Sequence, residues 1–225
     1  KGRNGGGTTQ PAQIFPTGIN RVDAELSSTA LIDGVDQRVN VDVAILDTGI
    51  DSGHPDLYVV GGVNFSTGKP SNFKDGNGHG THVAGTVAAL DNKIGVVGVA
   101  PGARLWAVRV LDNLGNGFLS GVIAGIDWVT AHADTIDVVN MSLGWTESNP
   151  NTSPAHDAIR SSVAKGVVYV VAAGNDAKDV ESNNFAPASY SEVITVSAIA
   201  DSDGLAGGLG LATSYYSFML PKTSL

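Results

Sequence analysis

Two short strings carry side chains with hydrolase chemistry. Asp47-Thr-Gly-Ile-Asp51 places a carboxylate at the end of the apolar run Val41-Asp-Val-Ala-Ile-Leu46. His79-Gly-Thr-His82 places an imidazole directly after the turn Asp75-Gly-Asn-Gly78, at the head of a run of small and apolar residues ending at Leu90. A carboxylate at the buried end of a strand is costly unless a donor meets it. An imidazole N–H is such a donor, and the pairing fixes the tautomer whose other nitrogen can accept a proton. An orienting acid and a general base are two of the three groups of a nucleophilic hydrolase. Asn175 follows Val170-Val-Ala-Ala-Gly174. Its amide could donate to a developing oxyanion, an interaction worth roughly 3–4 kcal/mol in a transition state. Taken alone, the same residue equally suits a tight turn.

The elements that must position these groups follow from the apolar pattern. Val41–Leu46, Leu105–Val110, Ile136–Met141, Val167–Ala172 and Val193–Ile199 read as strands. His79–Leu90 reads as a helix whose small residues Ala84, Gly85, Ala88 and Ala89 suit close packing. Leu119, Val122, Ile123, Ile126 and Val129 recur with helical spacing. Pro154–Lys165 is a third helix, with proline in its first turn and Gly166 as its stop. Strands interleaved with helices predict an α/β fold, a doubly wound and mostly parallel sheet with helices on both faces. Near-continuous apolar strands agree, because such a sheet is covered on both sides. Ligands bind beyond the carboxyl ends of these strands. Those ends are Asp47, the Leu111–Gly117 loop, Ser142-Leu-Gly144 and Gly174-Asn175, so four polar or glycine-rich segments converge on one edge.

Composition narrows the function classes. The 225 residues contain no cysteine and carry a net charge of −9. Disulfides, a thiol nucleophile and thiolate metal sites are excluded. A nucleic-acid surface is disfavoured, and cation binding mildly favoured. No apolar run approaches the ~18 residues of a membrane span. Residues 1–10, Lys1-Gly-Arg-Asn-Gly-Gly-Gly-Thr-Thr-Gln10, read as a flexible or processed N-terminus rather than a signal peptide. The remainder, 11–225, reads as one catalytic domain.

At this point the chain resembles the subtilisin-like serine proteases, the subtilase family. The matching strings are Asp47-Thr-Gly-Ile-Asp-Ser-Gly-His-Pro-Asp-Leu57, His79-Gly-Thr-His-Val-Ala-Gly-Thr-Val-Ala-Ala-Leu90, Gly98-Val-Ala-Pro101, Asn140-Met-Ser-Leu-Gly144 and Ala172-Ala-Gly-Asn175. They run in the family's order, the Asp, His, Ser order for which subtilisin is the standard example. The resemblance implies that Asp47 orients His79, that His79 is the general acid and base, and that Asn175 is the oxyanion donor. It implies that Gly115, Asn116 and Gly117 on one side and Ser142, Leu143 and Gly144 on the other bracket an extended peptide by backbone hydrogen bonds. Leu119, Val122 and Leu143 would receive a side chain upstream of the cut. Ala172, Ala173 and Gly174 would line a roomy apolar pocket beside the scissile bond, giving broad specificity with a preference for large apolar residues. The resemblance also implies a calcium site with carbonyls from Leu90, Ile94 and Val96 and side-chain oxygens from Gln13, Asp56 and Asn92, an all-oxygen set suited to that ion. Polypeptide substrates, an inhibitory pro-segment, a monomeric state and an extracellular location follow from the same resemblance, with no nucleic acid or membrane as partner.

One part of the family pattern is absent. The family nucleophile lies in Gly-Thr-Ser-Met-Ala at the start of a buried helix, and no such string occurs among these residues. After Ile199 the chain becomes glycine-rich, and Lys222-Thr-Ser-Leu225 shares only Thr-Ser with that motif. Ser224 is therefore the nearest candidate, with Ser214 and Ser217 behind it, and none has the helix. The expectation is a truncated or frameshifted protease, aberrant after about 200–210, inactive as given. Three other readings compete. The chain could be a non-catalytic homologue that binds peptides or calcium. Asn140-Met-Ser-Leu-Gly144 resembles a nucleophile elbow at Ser142, for which only Glu147 and His156 follow in the required order. His79 and His82 could hold a metal, although H-E-x-x-H is missing.

Overall fold

The computed structural model describes residues 11–198. Its centre is a six-stranded parallel sheet built from β1 (Asp42–Asp47), β2 (Val59–Asn64), β3 (Arg104–Arg109), β4 (Val138–Met141), β6 (Val168–Ala172) and β8 (Ile194–Val196), in the order β2-β3-β1-β4-β6-β8. A two-stranded antiparallel pair, β5 (Trp145–Thr146) with β7 (Phe185–Ala186), stands apart from it. The helices are α1 (Thr17–Arg21), α2 (His79–Ala88), α3 (Leu119–Ala131) and α4 (Pro154–Val163).

All six residues of β1 are buried. Alternate side chains of a strand point to opposite faces, and β1 uses both. Val43 and Ile45 pack with Ala84 and Ala88 of α2 and with Leu105 and Ala107 of β3. Ala44 and Leu46 belong to the opposite core, with Val108, Val122, Ile126 and Val129, and with Ile159 and Tyr169 beyond. Helices therefore cover both faces, as the continuous apolar strands predict. On α2 the buried residues are Gly80, Ala84 and Ala88, a small-residue face that lets the helix lie close on β1.

The expected strands and helices are present; β1 and β3 are each shifted by one residue from the expected bounds, and most of the others are shorter at their ends. Val193–Ile199 is a strand only over Ile194–Val196, and Ile199 lies outside the described residues. The sequence reading missed β2, because Gly61 and Gly62 interrupt its β-forming run. Both glycines make room for neighbours: a side chain at Gly61 would enter the Trp106 ring, and one at Gly62 would meet Phe73 and Ala107.

In this order β2 and β3 lie on one side of β1, and β4, β6 and β8 on the other. The crevice beyond the carboxyl end of β1 is thus the topological switch point, where such sheets place their ligands. Both strands paired with β1 end at this rim: Asp47 is in register with Arg109, the last residue of β3, and Ile45 with Asn140, one residue before the end of β4.

Candidate active site

Asp47 is completely buried at the last position of β1. His79 opens α2 across the crevice, and its Nδ1 lies 2.8 Å from Asp47 Oδ1 and 2.9 Å from Oδ2. A carboxylate can only accept, so Nδ1 carries the proton and Nε2 is left as the acceptor. The Asp47 side chain has no exposure, whereas that of His79 is 49 % exposed. The carboxylate is thereby sealed and the imidazole open. Asp47 Oδ1 also accepts the Thr48 N–H at 2.7 Å, which fixes the carboxylate plane.

Close approach of α2 to β1 sets this geometry. A Cβ at position 80 would collide with the Gly49 carbonyl and crowd Asp47, so glycine beside His79 is required by packing. Gly80 also donates its N–H to Thr48 Oγ1 at 3.0 Å. Asp75 then ties the two elements together. It accepts the Thr48 hydroxyl at 2.9 Å, the N–H groups of Asn77 and Gly78 at 2.9 Å each, and the N–H and hydroxyl of Thr81 at 3.0 and 2.6 Å. Burial by itself would raise the Asp75 carboxyl. The Gly78 N–H, the Thr81 hydroxyl and the N–H groups of Asn77 and Thr81 outweigh it and hold the pKa at about 2. The sequence reading treated Asp75 only as a turn residue. An Asp two and three residues ahead of free N–H groups was the available signal.

His79 faces a groove of about 710 Å³. Its lining brings together most of the expected peptide-binding residues: Gly115, Asn116 and Gly117, then Leu119 and Val122 of α3, then Ser142, Leu143 and Gly144 after β4. The rim loop is rigidly held. Arg109, 95 % buried at the end of β3, donates to the Lys74 carbonyl at 2.9 Å, the Leu111 carbonyl at 3.2 Å and Asn113 Oδ1 at 2.8 Å. Asn77 Nδ2 donates to the Asn113 carbonyl at 2.9 Å. The turn leading to His79 and the loop leading to Gly115 are therefore braced on one guanidinium, which the sequence reading did not single out.

The expected partners on β6 lie differently. Asn175 is exposed in the turn that follows the strand. Ala172, Ala173, Gly174 and Asn175 do not line the His79 groove; Ala173 and Gly174 line a separate cavity of about 130 Å³ with Thr146, Asp176, Val180 and Phe185. A roomy apolar pocket was expected along Ala172, Ala173 and Gly174; the cavity found beside Ala173 and Gly174 is small, about 130 Å³. The ring of Phe185 lies against both Gly144 and Gly174 and takes that space.

The six residues expected around calcium do converge. Gln13 Nε2 donates to the Leu90 carbonyl at 3.0 Å, with the Val96 carbonyl at 3.5 Å. Asn92 Nδ2 donates to Asp56 Oδ1 at 2.7 Å, while Asn92 Oδ1 accepts the Ile94 N–H at 2.7 Å. Asp56, 2 % exposed, accepts the Val96 N–H at 3.1 Å. Burial raises the Asp56 carboxyl, against the lowering by Val96, Asn92 and His54. Converging oxygens repel unless N–H donors or a cation lie among them; here the Gln13 amide nitrogen faces the Leu90 and Val96 carbonyls, and the Asn92 amide nitrogen faces the Asp56 carboxylate. Rotating the Gln13 amide would turn its oxygen toward the Leu90 and Val96 carbonyls, and those oxygens with the Asp56 carboxylate are the donor types a hard cation takes. Among the described residues no group of three or more His, Cys, Asp or Glu could hold a metal.

The competing motifs find other partners. His82 is exposed on α2. Ser142 Oγ accepts from Asn140 Nδ2 at 3.0 Å. His156 Nε2 lies 2.7 Å from Glu192, and Glu147 accepts from the Tyr190 hydroxyl at 2.8 Å. Ser214, Ser217 and Ser224 lie outside the described residues.

Comparison with known proteins agrees with this geometry. Residues 38–215 match the subtilase family (Peptidase_S8). The chain is 46 % identical over 190 residues to subtilisin DY of Bacillus licheniformis, covering 84 % of this chain and 65 % of that protein. It is 42 % identical over 216 residues to subtilisin E of Bacillus subtilis (strain 168), covering 95 % and 54 %. It is 44 % identical over 190 residues to an alkaline protease of Shouchella clausii, covering 84 % and 46 %. The chain thus spans about half to two thirds of the length of these relatives. With its parallel sheet, its hydrogen-bonded Asp47–His79 pair and this match over most of its length, the chain belongs to the subtilase family.

Proposed function

We propose that this chain supplies the acid, the base and most of the peptide groove of a serine endopeptidase. The observation that carries the reading is the Asp47–His79 pair, sealed on the Asp47 side and open to the groove on the His79 side. His79 Nε2 takes the proton of a serine hydroxyl as it attacks the peptide carbonyl, then returns it to the leaving amine. Asp47 holds the ring in the required tautomer and stabilises the imidazolium. Asn175, in the turn beyond β6, donates to the oxyanion. An extended polypeptide lies between Gly115–Gly117 and Ser142–Gly144 and adds a strand to each side. Leu119, Val122 and Leu143 supply the apolar surface for an upstream side chain.

The nucleophile is the one group not assigned. No Gly-Thr-Ser-Met-Ala string occurs in the 225 residues, so these residues by themselves are expected to be inactive. A calcium ion held by Gln13, Asp56, Leu90, Asn92, Ile94 and Val96 belongs to the same proposal; when bound it supplies a charge that fixes the loop, not a catalytic step. A pro-segment partner, a monomeric state and an extracellular setting also stay within it. Among the described residues no helix is long and apolar enough to cross a membrane.

The test is labelling of the full-length protein with a fluorophosphonate, followed by mass spectrometry. One serine should be modified, and His79→Ala should abolish the modification. Labelling that persists unchanged in that variant would refute the role of His79 as its base.

A further inference from the structure

The ends of β4 and β6 run side by side, with Met141 in register with Val171. Ser142–Gly144 and Ala172–Gly174 therefore leave the sheet as neighbouring segments, the first of them lining the groove that His79 faces. Both glycines face one ring. A Cβ on Gly144 would stand 2.5 Å from Phe185 Cζ and 2.7 Å from Cε1. A Cβ on Gly174 would stand 2.9 Å from Cε1 and 3.1 Å from Cζ. The same ring edge thus packs on both strand ends, in space that the two missing side chains leave free.

The fold holds this ring in place. Phe185 lies in β7 and pairs with Thr146, while its neighbour Ala186 pairs with Trp145. Its N–H is bonded to the Val180 carbonyl at 2.9 Å. The ring packs on the same core as Leu143, Trp145 and Val180. What remains beside it is a cavity of about 130 Å³, lined by Ala173, Gly174 and the Asp176–Asn183 loop, whereas the groove bearing His79 contains Gly144 but neither Gly174 nor Phe185.

We propose that Phe185 sets which residue is accepted on the acyl side of the cleaved bond, by filling the slot between the ends of β4 and β6 so that glycine, alanine or serine fits and a large apolar side chain does not. The inference rests on the endopeptidase reading and reverses the preference expected from a roomy pocket. A bulky side chain entering this slot must displace a ring that is wedged against two backbones and tied to a paired strand. Close-packed aromatic contacts of this kind resist such overpacking. Shortening the ring should open the slot in proportion to the atoms removed.

The experiment measures kcat/KM of the full-length protein on matched peptide anilides ending in Ala or Phe before the cleaved bond. The wild type should favour Ala by at least about tenfold, the scale on which pockets discriminate by size. Phe185→Gly, and the milder Phe185→Ala, should reverse the ratio. A wild type that cleaves the Phe substrate as well as or better than the Ala substrate overturns the proposal, as does an unchanged ratio in folded variants. If neither substrate is cleaved, the endopeptidase reading fails and binding decides the slot. Amide shifts of Gly144 and Gly174 are then followed on titration with acetylated tripeptide acids ending in Ala or Phe. Tighter binding of the Ala peptide supports the proposal, and equal, weaker or absent binding of it overturns the proposal.

Discussion

Thr81 gives both its N–H and its hydroxyl to a single carboxylate, that of Asp75. The same hydroxyl oxygen accepts the Asp51 N–H at 3.0 Å. Through Thr48, Asp75 also reaches the residue next to Asp47. One carboxylate thus joins the segment carrying Asp47 to the first turn of the helix carrying His79. The 2.8 Å contact between Asp47 and His79 spans the same two segments.

A pH dependence follows. The folded Asp75 carboxyl titrates at about 2, below its ordinary value of 3.8. A depressed carboxylate contributes stability that is fully present above the ordinary value and is lost as pH falls toward 2. The contribution is on the order of 1–2 kcal/mol after allowance for partial exposure. Urea unfolding of the full-length protein between pH 5 and 2 should show this loss. In Asp75→Asn the stability at pH 7 should be lower by a similar amount, and the acid slope shallower. An identical slope in the variant would show that this carboxylate is not strained toward ionisation.

Calcium supplies a second prediction. A ligand that binds only the folded state stabilises it by RT ln(1 + [L]/Kd), about 2.7 kcal/mol at one hundred times Kd. Thermal unfolding of the full-length protein should therefore shift upward with added calcium. Asp56→Ala should remove most of the shift, because it deletes the only carboxylate among the six converging residues. A calcium shift that survives in Asp56→Ala would place the ion elsewhere.

The core gives a third. Ile126 has no exposure and packs among Leu46, Val108 and Met141 beneath the groove. Ile126→Ala should cost about 2–5 kcal/mol, depending on how far α3 settles. Because α3 also carries Leu119 and Val122, KM for peptides should rise with it. A loss under 1 kcal/mol by denaturant unfolding would contradict a close-packed interface there.

Much of this fold was legible in the chain. The period of the apolar residues located β1, β3, β4 and β6 and all three long helices, because each element is buried along a face that its sequence must declare. The strand β2 was not legible, since Gly61 and Gly62 serve the Trp106 and Phe73 rings rather than strand propensity. The paired two-residue strands Trp145–Thr146 and Phe185–Ala186 are too short to carry a period. In the site, Asp47 and His79 were readable because each sits where a regular element meets a turn. Arg109 and Phe185 were not. Their importance lies above all in contacts with Lys74 and Gly144, which are distant in sequence and meet only when the sheet is assembled.

The central claim is that His79, oriented by Asp47, is the base that activates a serine toward peptide bonds. It is tested most directly by kcat/KM for peptide hydrolysis by the full-length protein and by its His79→Ala variant, with matching circular dichroism as the check on folding. The variant should lose about four orders of magnitude or more, the scale that loss of a triad member has in subtilisin itself. A folded variant that retains activity within tenfold of the parent would contradict the account.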